Sequence, residues 1–390
     1  MSPQMAGQMV KTLGSLKGVA LKLGQSIALS QDTQPEAVRR LLYQMFAQVP
    51  ALDFEKIRTV LTAELGQEFE KVFAQLDHAP FAAASLGQVH RGVLLDGTEV
   101  AVKIQYPRAK QTLRQDLQNL GAVMKTAGLG MNLFDEKSYL HEIQTQFSQE
   151  LDYDLEQRHL EQYRQSVSPW PELRVPKSYP ELSSASVLVT ELLEGEVLTD
   201  VCAEPAKWSA EQRFVLGKQL IRAVYGPFLR DGLVHGDCHP GNFLFLKNGG
   251  LGILDFGCVR HFSKPFWHAY RHTIQAALHQ DFSQVFEITQ SAGFRIQISE
   301  NKARALLNDL SVIVSRPFLV AYDFGACHIR KDILALVRER PQDFLRIRPP
   351  AEGIFFFRSI VGLMDMLRAL QCEGDFRSVF IELLGDSHCP

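Results

Sequence analysis

The stretch that most constrains this chain lies in its second half. Asp237 stands five residues before Asn242, which is followed by the apolar run Phe243–Leu246, the pair Asn248-Gly249, a second apolar run Leu251–Leu254, and then Asp255-Phe256-Gly257. Asn-Gly between two apolar runs signals a hairpin, because both residues tolerate the left-handed backbone that a two-residue turn requires. With such a turn, positions 242 and 255 fall directly opposite each other at the open end of the hairpin. Local geometry alone then delivers two oxygen-bearing side chains to one point. Mg²⁺ suits such a pair, since it takes hard oxygen ligands, few from protein and the rest from phosphate and water. Asp237 falls where a base or substrate-orienting carboxylate is wanted. The spacing Asp-x4-Asn … Asp-Phe-Gly is that of kinase-type phosphoryl transfer, where positioning and charge neutralisation dominate.

Two competing readings of this region are weak. A second Asp-Phe-Gly at 323–325 has no upstream partner loop and reads as a helix-ending turn. His235 and His239, with Cys238 beside them, have an i,i+4 spacing that converges on a metal only in a helix, and Gly236, Pro240 and Gly241 argue against one. Upstream, Val100-Ala101-Val102-Lys103-Ile104 follows a turn at Asp96-Gly97 and reads as a strand, with Ala101, Lys103 and Gln105 on one face. A lone strand lysine is ordinarily a solvated edge residue. Lys103 follows a tight hairpin and precedes the Asp/Asn/Asp set by a lobe's length, which favours a phosphate-gripping role. Where a glycine-rich loop would stand, this chain has Ala82, Ala83, Ala84 and Ser85, whose Cβ atoms restrict how backbone can fold over phosphates.

Apolar residues make up 46% of the 390 and charged residues 22%, an ordinary globular composition. With 41 basic and 44 acidic residues the net charge is −3, so no nucleic-acid partner is expected. Six cysteines without a CxxC pair give neither a disulfide framework nor a zinc site. No stretch reaches the roughly 20 apolar residues of a membrane span. The nearest, from Ile354 to Leu367, is broken by Arg358 and Asp365 and reads as a core helix or one face of a peripheral membrane contact. Helical spacing covers 8–30, 35–48 and Phe54–Phe73. Alternation follows from Phe81 to Ile104, helical spacing returns from Leu140, and Val187–Val189 makes a short strand. Beyond Glu194-Gly195 the chain reads as helical to Leu384, apart from the hairpin at Asn248-Gly249. The expectation is an α+β, two-lobed architecture: an N-terminal helical extension over 1–75, a small strand-rich N-lobe over 76–193 and a helical C-lobe over 194–390.

Taken together, these motifs resemble the AarF/UbiB family of atypical kinase-like proteins, which includes mitochondrial members supporting coenzyme Q synthesis. The resemblance rests on Lys22-Leu23-Gly24-Gln25 (a KxGQ motif), the alanine-rich Ala82–Ser85, Lys103, Glu150-Leu151-Asp152-Tyr153 with Glu156, His235–Asn242, and Asp255-Phe256-Gly257. It implies a protein-kinase-like fold that binds ATP or ADP with Mg²⁺. Lys103 would contact the phosphates and pair with Glu156, Asp237 would take the catalytic-loop position, and Asn242 and Asp255 would hold the metal. Glu191 and Leu193 would offer backbone groups to adenine. Lys22 and Gln25, which share a helix face at i,i+3, would cover the cleft, with Glu150 and Asp152 as their acidic counterpart. Residues two apart on a helix point ~200° apart, so either the helix is irregular near Leu151 or Glu150 and Asp152 have different partners.

No Ala-Pro-Glu follows Asp255-Phe256-Gly257, which argues against phosphorylation of proteins in trans. The leading expectation is an Mg-ATP-dependent ATPase supporting ubiquinone or related isoprenoid-lipid metabolism. A small-molecule phosphotransferase of the aminoglycoside or choline kinase type and a non-catalytic nucleotide-binding scaffold are the alternatives. Expected partners are a small-molecule or lipid-like substrate, a membrane surface and lipid-biosynthesis enzymes. The C-terminal membrane anchor of many bacterial relatives is not read here; the expected location is cytoplasmic or peripheral on an inner membrane, with a mitochondrial matrix also open.

Overall fold

Alternating apolar residues between Phe73 and Gln105 close into one antiparallel sheet, with a helix across its apolar face. The computed structural model describes residues 52–84, 87–107, 109, 149, 151–319 and 321–385. These form two compact units, one from the described residues up to Arg158 plus Lys177–Leu192, the other from His159–Pro176 plus Leu193 onward.

In the first unit, α1 (Phe54–Leu65) begins at Asp53, whose carboxylate accepts the Glu55 N–H at 3.2 Å, and ends at left-handed Gly66. That glycine stops a helix expected to continue to Phe73. Phe69–Lys71 makes one 3₁₀ turn instead, and Phe73 opens strand β1 (Phe73–Leu76). Next come β2 (Ala82–Ala84), β3 (Gly87–Leu94) and β4 (Glu99–Gln105). Helix α2 (Tyr153–Ser166) crosses the unit boundary, β5 (Leu173–Arg174) belongs to the second unit, and β6 (Val187–Glu191) completes the first. The sheet runs β1-β3-β4-β6, with β2 on β3, all antiparallel. Val100, Val102 and Ile104 face inward against Ile57 and Leu61 of α1, with Val187 and Val189 beside them. Helix α1 is therefore part of the strand-rich core, although it lies in the 1–75 segment expected as a separate extension.

In the second unit, β7 (Gly195–Val197), β9 (Phe243–Leu246) and β10 (Leu251–Ile253) form a sheet with β5, in the order β5-β10-β9-β7. Residues 159–176, in the N-lobe by sequence order, pack here. Short α3 (Leu198–Ala203) precedes α4 (Ala210–Asp231), which opens with a capping box between Ser209 and Gln212 and closes at left-handed Gly232. Strand β8 (Leu233–His235) pairs with β11 (Val259–His261). The region expected to be uniformly helical holds α5 (Lys264–His279), α6 (Val285–Ser291), β12 (Arg295–Ile296), α7 (Glu300–Val314) and β13 (Tyr322–Asp323). After these come α8 (Ile329–Glu339), α9 (Pro341–Leu345), β14 (Ile347–Arg348), α10 (Ala351–Ala369), β15 (Glu373–Gly374) and α11 (Arg377–Gly385). Two-residue strand pairs, β12 with β14 and β13 with β15, tie distant helices together, a signal too short to show as alternation.

Helix α10 carries the apolar run 354–367. Phe356, Ser359, Leu363, Met366 and Leu367 are all buried, at the three- and four-residue spacing of a core helix. Among the described residues no helix is long and apolar enough to cross a membrane. The second Asp-Phe-Gly is a turn that ends strand β13: the Asp323 carboxylate accepts the N–H groups of Gly325 at 2.7 Å and Ala326 at 3.2 Å, while Phe324 is buried.

The β9–β10 hairpin corrects one expectation. Leu251 pairs with Phe245 and Ile253 with Phe243, so Asn242 stands opposite Leu254, not Asp255. The Leu254 N–H donates to the Asn242 carbonyl at 2.8 Å. The turn has three residues, Lys247-Asn248-Gly249, and only Gly249 is left-handed, with φ +81°. A two-residue turn would need positive φ at Asn248 as well. The β3–β4 loop Leu95-Asp96-Gly97 has the same form, with Gly97 at φ +87°. Asp255 thus lies one residue past the ladder, itself left-handed with φ 56°. Gly249→Ala, whose new Cβ meets no heavy atom within 4 Å, should lower stability through backbone strain alone, by about 1 kcal/mol. An unchanged urea midpoint would show that the loop does not need its left-handed glycine.

Candidate functional site

Strand β4 is central in its sheet, with Lys103 opposite Val89 on β3 and Leu188 on β6. Its ammonium donates to both Glu156 carboxylate oxygens, at 2.8 and 2.9 Å. Glu156, in the first turn of α2, is 2% exposed, and the Lys103 side chain 16%. The Lys103 Nζ also sits 5.1 Å from the ring centre of buried Tyr153. Neither the solvated strand edge nor the solvated helix surface describes these two residues. A pair this enclosed fixes the position of the lysine charge.

The alanine-rich segment is strand backbone. Ala82 pairs with Val89 and Ala84 with Gly87, which leaves 85 and 86 as the two connecting positions. Gly87 approaches β4 so closely that a side chain there would run into the Ile104 carbonyl and lie 3.1 Å from the Tyr153 hydroxyl. Ser85, the side chains of Ala83 and Ala84, and the expected Lys22, Gln25 and Glu150 lie outside the described residues. Asp152 precedes α2 and caps it: its carboxylate accepts the Leu155 N–H at 3.0 Å and its carbonyl the Glu156 N–H at 2.9 Å. The backbone at Leu151–Asp152 is not helical. Glu191 ends β6, where its N–H donates to the Lys177 carbonyl at 2.8 Å, and the Leu192 N–H donates to Glu99 at 3.2 Å. Leu193 opens the second unit.

In the second unit the Asp237 loop is built from its own hydrogen bonds. Asn242 Nδ2 donates to the Asp237 carbonyl at 2.9 Å and lies 3.5 Å from its Oδ2. His239 Nδ1 accepts the Gly241 N–H at 3.1 Å, so its proton sits on Nε2, 3.6 Å from Asp237 Oδ2. The Gly236 N–H donates to the Cys258 carbonyl at 2.6 Å. His235 is buried with Nε2 3.1 Å from the Leu254 carbonyl. The two histidines are thus committed separately, and no group of three or more metal-binding His, Cys, Asp or Glu residues occurs among the described residues. The Asp255 carboxylate accepts the Gly257 N–H at 3.1 Å. Phe256 is buried against Tyr163 and His235, and its carbonyl accepts from His159 Nδ1 at 3.2 Å. The amide of Asn242 turns its nitrogen to the loop, which leaves Oδ1 for a cation. That oxygen and the Asp255 carboxylate are hard donors of the kind an Mg²⁺ that keeps water and phosphate ligands would take.

One contact was not anticipated: the Arg358 guanidinium of α10 is bonded to the Asp237 carboxylate. Its one sequence signal was a charge inside an otherwise apolar helix.

Comparison with known proteins identifies the family and the fold. Residues 44–289 match the ABC1 atypical kinase-like domain. The chain belongs to that family, the AarF/UbiB atypical kinases. It is 33% identical over 384 residues to the mitochondrial atypical kinase COQ8B of Rattus norvegicus, covering 96% of this chain and 71% of that protein. It is 25% identical to the atypical kinase COQ8 of Saccharomyces cerevisiae, covering 94% of this chain and 74% of the yeast protein. The Mycobacterium tuberculosis protein Rv3197, solved as an erythromycin complex, is similar across 98% of this chain and 96% of its own, with 27% identity and a TM-score of 0.70. The fold is kinase-like.

Two outcomes follow from the charges in the site. Glu156→Gln should cost about 2 kcal/mol in unfolding free energy, because it removes the carboxylate charge bonded to the Lys103 ammonium. The double change Lys103→Met with Glu156→Leu should recover most of that loss. A single substitution as stable as the parent in denaturant titrations would contradict the enclosed pair. Burial pushes the His235 pKa below its ordinary 6.5, against the opposing pull of Asp237, the Leu254 carbonyl and Asp255. Its Nδ1 has no hydrogen-bond partner among the described residues. The neutral ring belongs to the folded state, so this stabilisation is complete above about pH 6.5 and is lost as pH falls below it. Buried His90 shifts in the same direction. Melting temperature should therefore drop between about pH 7 and pH 5, and drop less in His235→Gln, with His90 carrying part of the remainder. Equal slopes in both proteins would remove His235 from the account.

Proposed function

We propose that this chain binds Mg-ATP and hydrolyses it, as a kinase-fold ATPase acting in ubiquinone or related isoprenoid-lipid metabolism and not as a protein kinase in trans. The observation that carries the reading is the enclosed Lys103–Glu156 pair. A strand lysine held by a carboxylate from a following helix is the arrangement by which kinases present an amine to phosphates. Asn242 and Asp255 would hold Mg²⁺, which supplies charge neutralisation on the phosphate oxygens. Asp237 orients the attacking water by accepting its hydrogen bond, and the loose transition state of phosphoryl transfer asks for little more than that. Glu191 would use its carbonyl and Leu193 its N–H toward adenine.

The segment after Gly257 supports hydrolysis over peptide phosphorylation. Strand β11 begins at Val259, and only Phe262 and Ser263 separate it from α5, where Ser263 is the N-cap. No length remains there for a peptide-docking activation segment. The KxGQ residues Lys22 and Gln25, with Glu150 and Asp152 as counterpart, would further exclude a protein substrate. The lipid assignment rests on the family and on the names of the COQ8 relatives. With it come a small-molecule or lipid-like acceptor, peripheral contact with a membrane, and lipid-biosynthesis enzymes as partners.

Phosphate release, measured with malachite green with and without anionic lipid vesicles, tests this reading. Asp255→Asn should abolish thermal stabilisation by Mg-ATP, and Asp237→Asn should keep that stabilisation while losing turnover by at least about a hundredfold. Phosphate appearing on a co-purified acceptor instead of in solution would favour a small-molecule phosphotransferase. Nucleotide binding without any turnover would favour a scaffold.

A further inference from the structure

Helix α10 lies beyond the segment that matches the kinase-like domain, which ends at residue 289. Three of its residues nevertheless hold the Asp237 loop. The Arg358 guanidinium is bonded to the Asp237 carboxylate. The Ser359 hydroxyl bridges the carbonyls of His235 at 2.9 Å and Phe355 at 3.0 Å. Gly362 sits so close to the loop that any side chain there would overlap the Cys238 carbonyl. Positions 358, 359 and 362 fall on one side of the helix, two of them four residues apart and two of them three. One helix face therefore contacts residues 235, 237 and 238 of the loop that carries the candidate catalytic carboxylate.

We propose that α10 is the positioning element of this loop and that Arg358 is the positioning residue for Asp237, an inference that rests on the hydrolytic reading above. The carboxylate is faced by Arg358 from α10 and, within its own loop, by His239 Nε2 at 3.6 Å and Asn242 Nδ2 at 3.5 Å. A guanidinium is permanently charged and planar, and it fixes a carboxylate in one orientation more firmly than either neighbour can. Asp237 is thereby set to orient a nucleophile. The close fit at Gly362 and the Ser359 bridge fix the loop backbone, so the orientation is transmitted from α10.

The test uses the full chain with Arg358→Met, Arg358→Lys, Asp237→Asn, and Arg358→Met combined with Asp237→Asn. Turnover is read by phosphate release, Mg-ATP affinity by calorimetry, and loop motion by hydrogen exchange of the 236–242 peptide. Arg358→Met should lower kcat by about ten- to a hundredfold with the dissociation constant changed by less than about threefold. Arg358→Lys should recover part of that loss. The substitution should have little further effect in the Asp237→Asn background, because it acts through that carboxylate. Exchange at 236–242 should quicken while that at 99–105 stays the same. Wild-type turnover in Arg358→Met, a loss that adds fully to that of Asp237→Asn, or an affinity loss equal to the turnover loss would each overturn the proposal. If the wild-type chain releases no phosphate, the hydrolytic reading fails and exchange decides the positioning role: quickened exchange at 236–242 upholds it, unchanged exchange ends it.

Discussion

The second unit is organised by the seam between two chain segments, 233–242 and 254–261. Strands β8 and β11 pair along it, Gly236 donates to Cys258 across it, and His235 reaches the Leu254 carbonyl. Gly236 and His235 are buried, so their polar groups would be costly orphans if the segments parted. Gly236 is required at the closest point: a Cβ there would lie 2.6 Å from the Cys258 carbonyl oxygen. The seam places Asp237 on one segment and Asp255 on the other, each just past a buried backbone bond. Motion at either carboxylate is therefore limited to its side chain.

Asp255 shows how strain enters this arrangement. It is one of three non-glycine residues with positive φ among those described, and its carboxylate accepts the N–H two residues on. Aspartate tolerates that backbone because such a short-range bond compensates for it. Asp323, in the other Asp-Phe-Gly, makes the same bond to Gly325. The tripeptide thus makes the same side-chain-to-backbone bond in both places, but only at Asp255 with positive φ, and only the first has an Asp237 loop paired beside it. The chemistry lies in the pairing and not in the tripeptide.

Much of this was legible in the sequence. The two faces of β4, the core character of α10 and the Asp237/Asn242 set follow from periodicity and spacing, which depend on the backbone alone. The register of the β9–β10 hairpin did not follow, because Asn-Gly is compatible with both two- and three-residue loops and the choice rests on one dihedral at Asn248. A slip of one residue exchanges strand faces, and here it moved Asp255 off the ladder. Gly66 ends α1, but the apolar spacing of the sequence continues past it to Phe73. The capping role of Asp152 was hidden because an acid at a helix start also reads as an exposed face. Arg358 was out of reach for a different reason: its partner is 121 residues away, and no local pattern encodes a contact of that range.

In each unit a functional charge is pinned by an opposite one, Lys103 by Glu156 and Asp237 by Arg358. Stability alone does not account for such pairs. An enclosed ion pair roughly breaks even against well-packed apolar side chains of similar volume. What it does provide is a charge with a fixed position, which under the proposed reaction would leave little reorganisation to make when phosphate charge develops. The same economy explains why the chain can pass from Gly257 into β11 and α5 without a docking segment. On the proposed hydrolytic reading water needs no surface to recognise it, only a carboxylate oriented to receive its hydrogen bond, and Arg358 would hold Asp237 so from a helix outside the matched kinase-like segment.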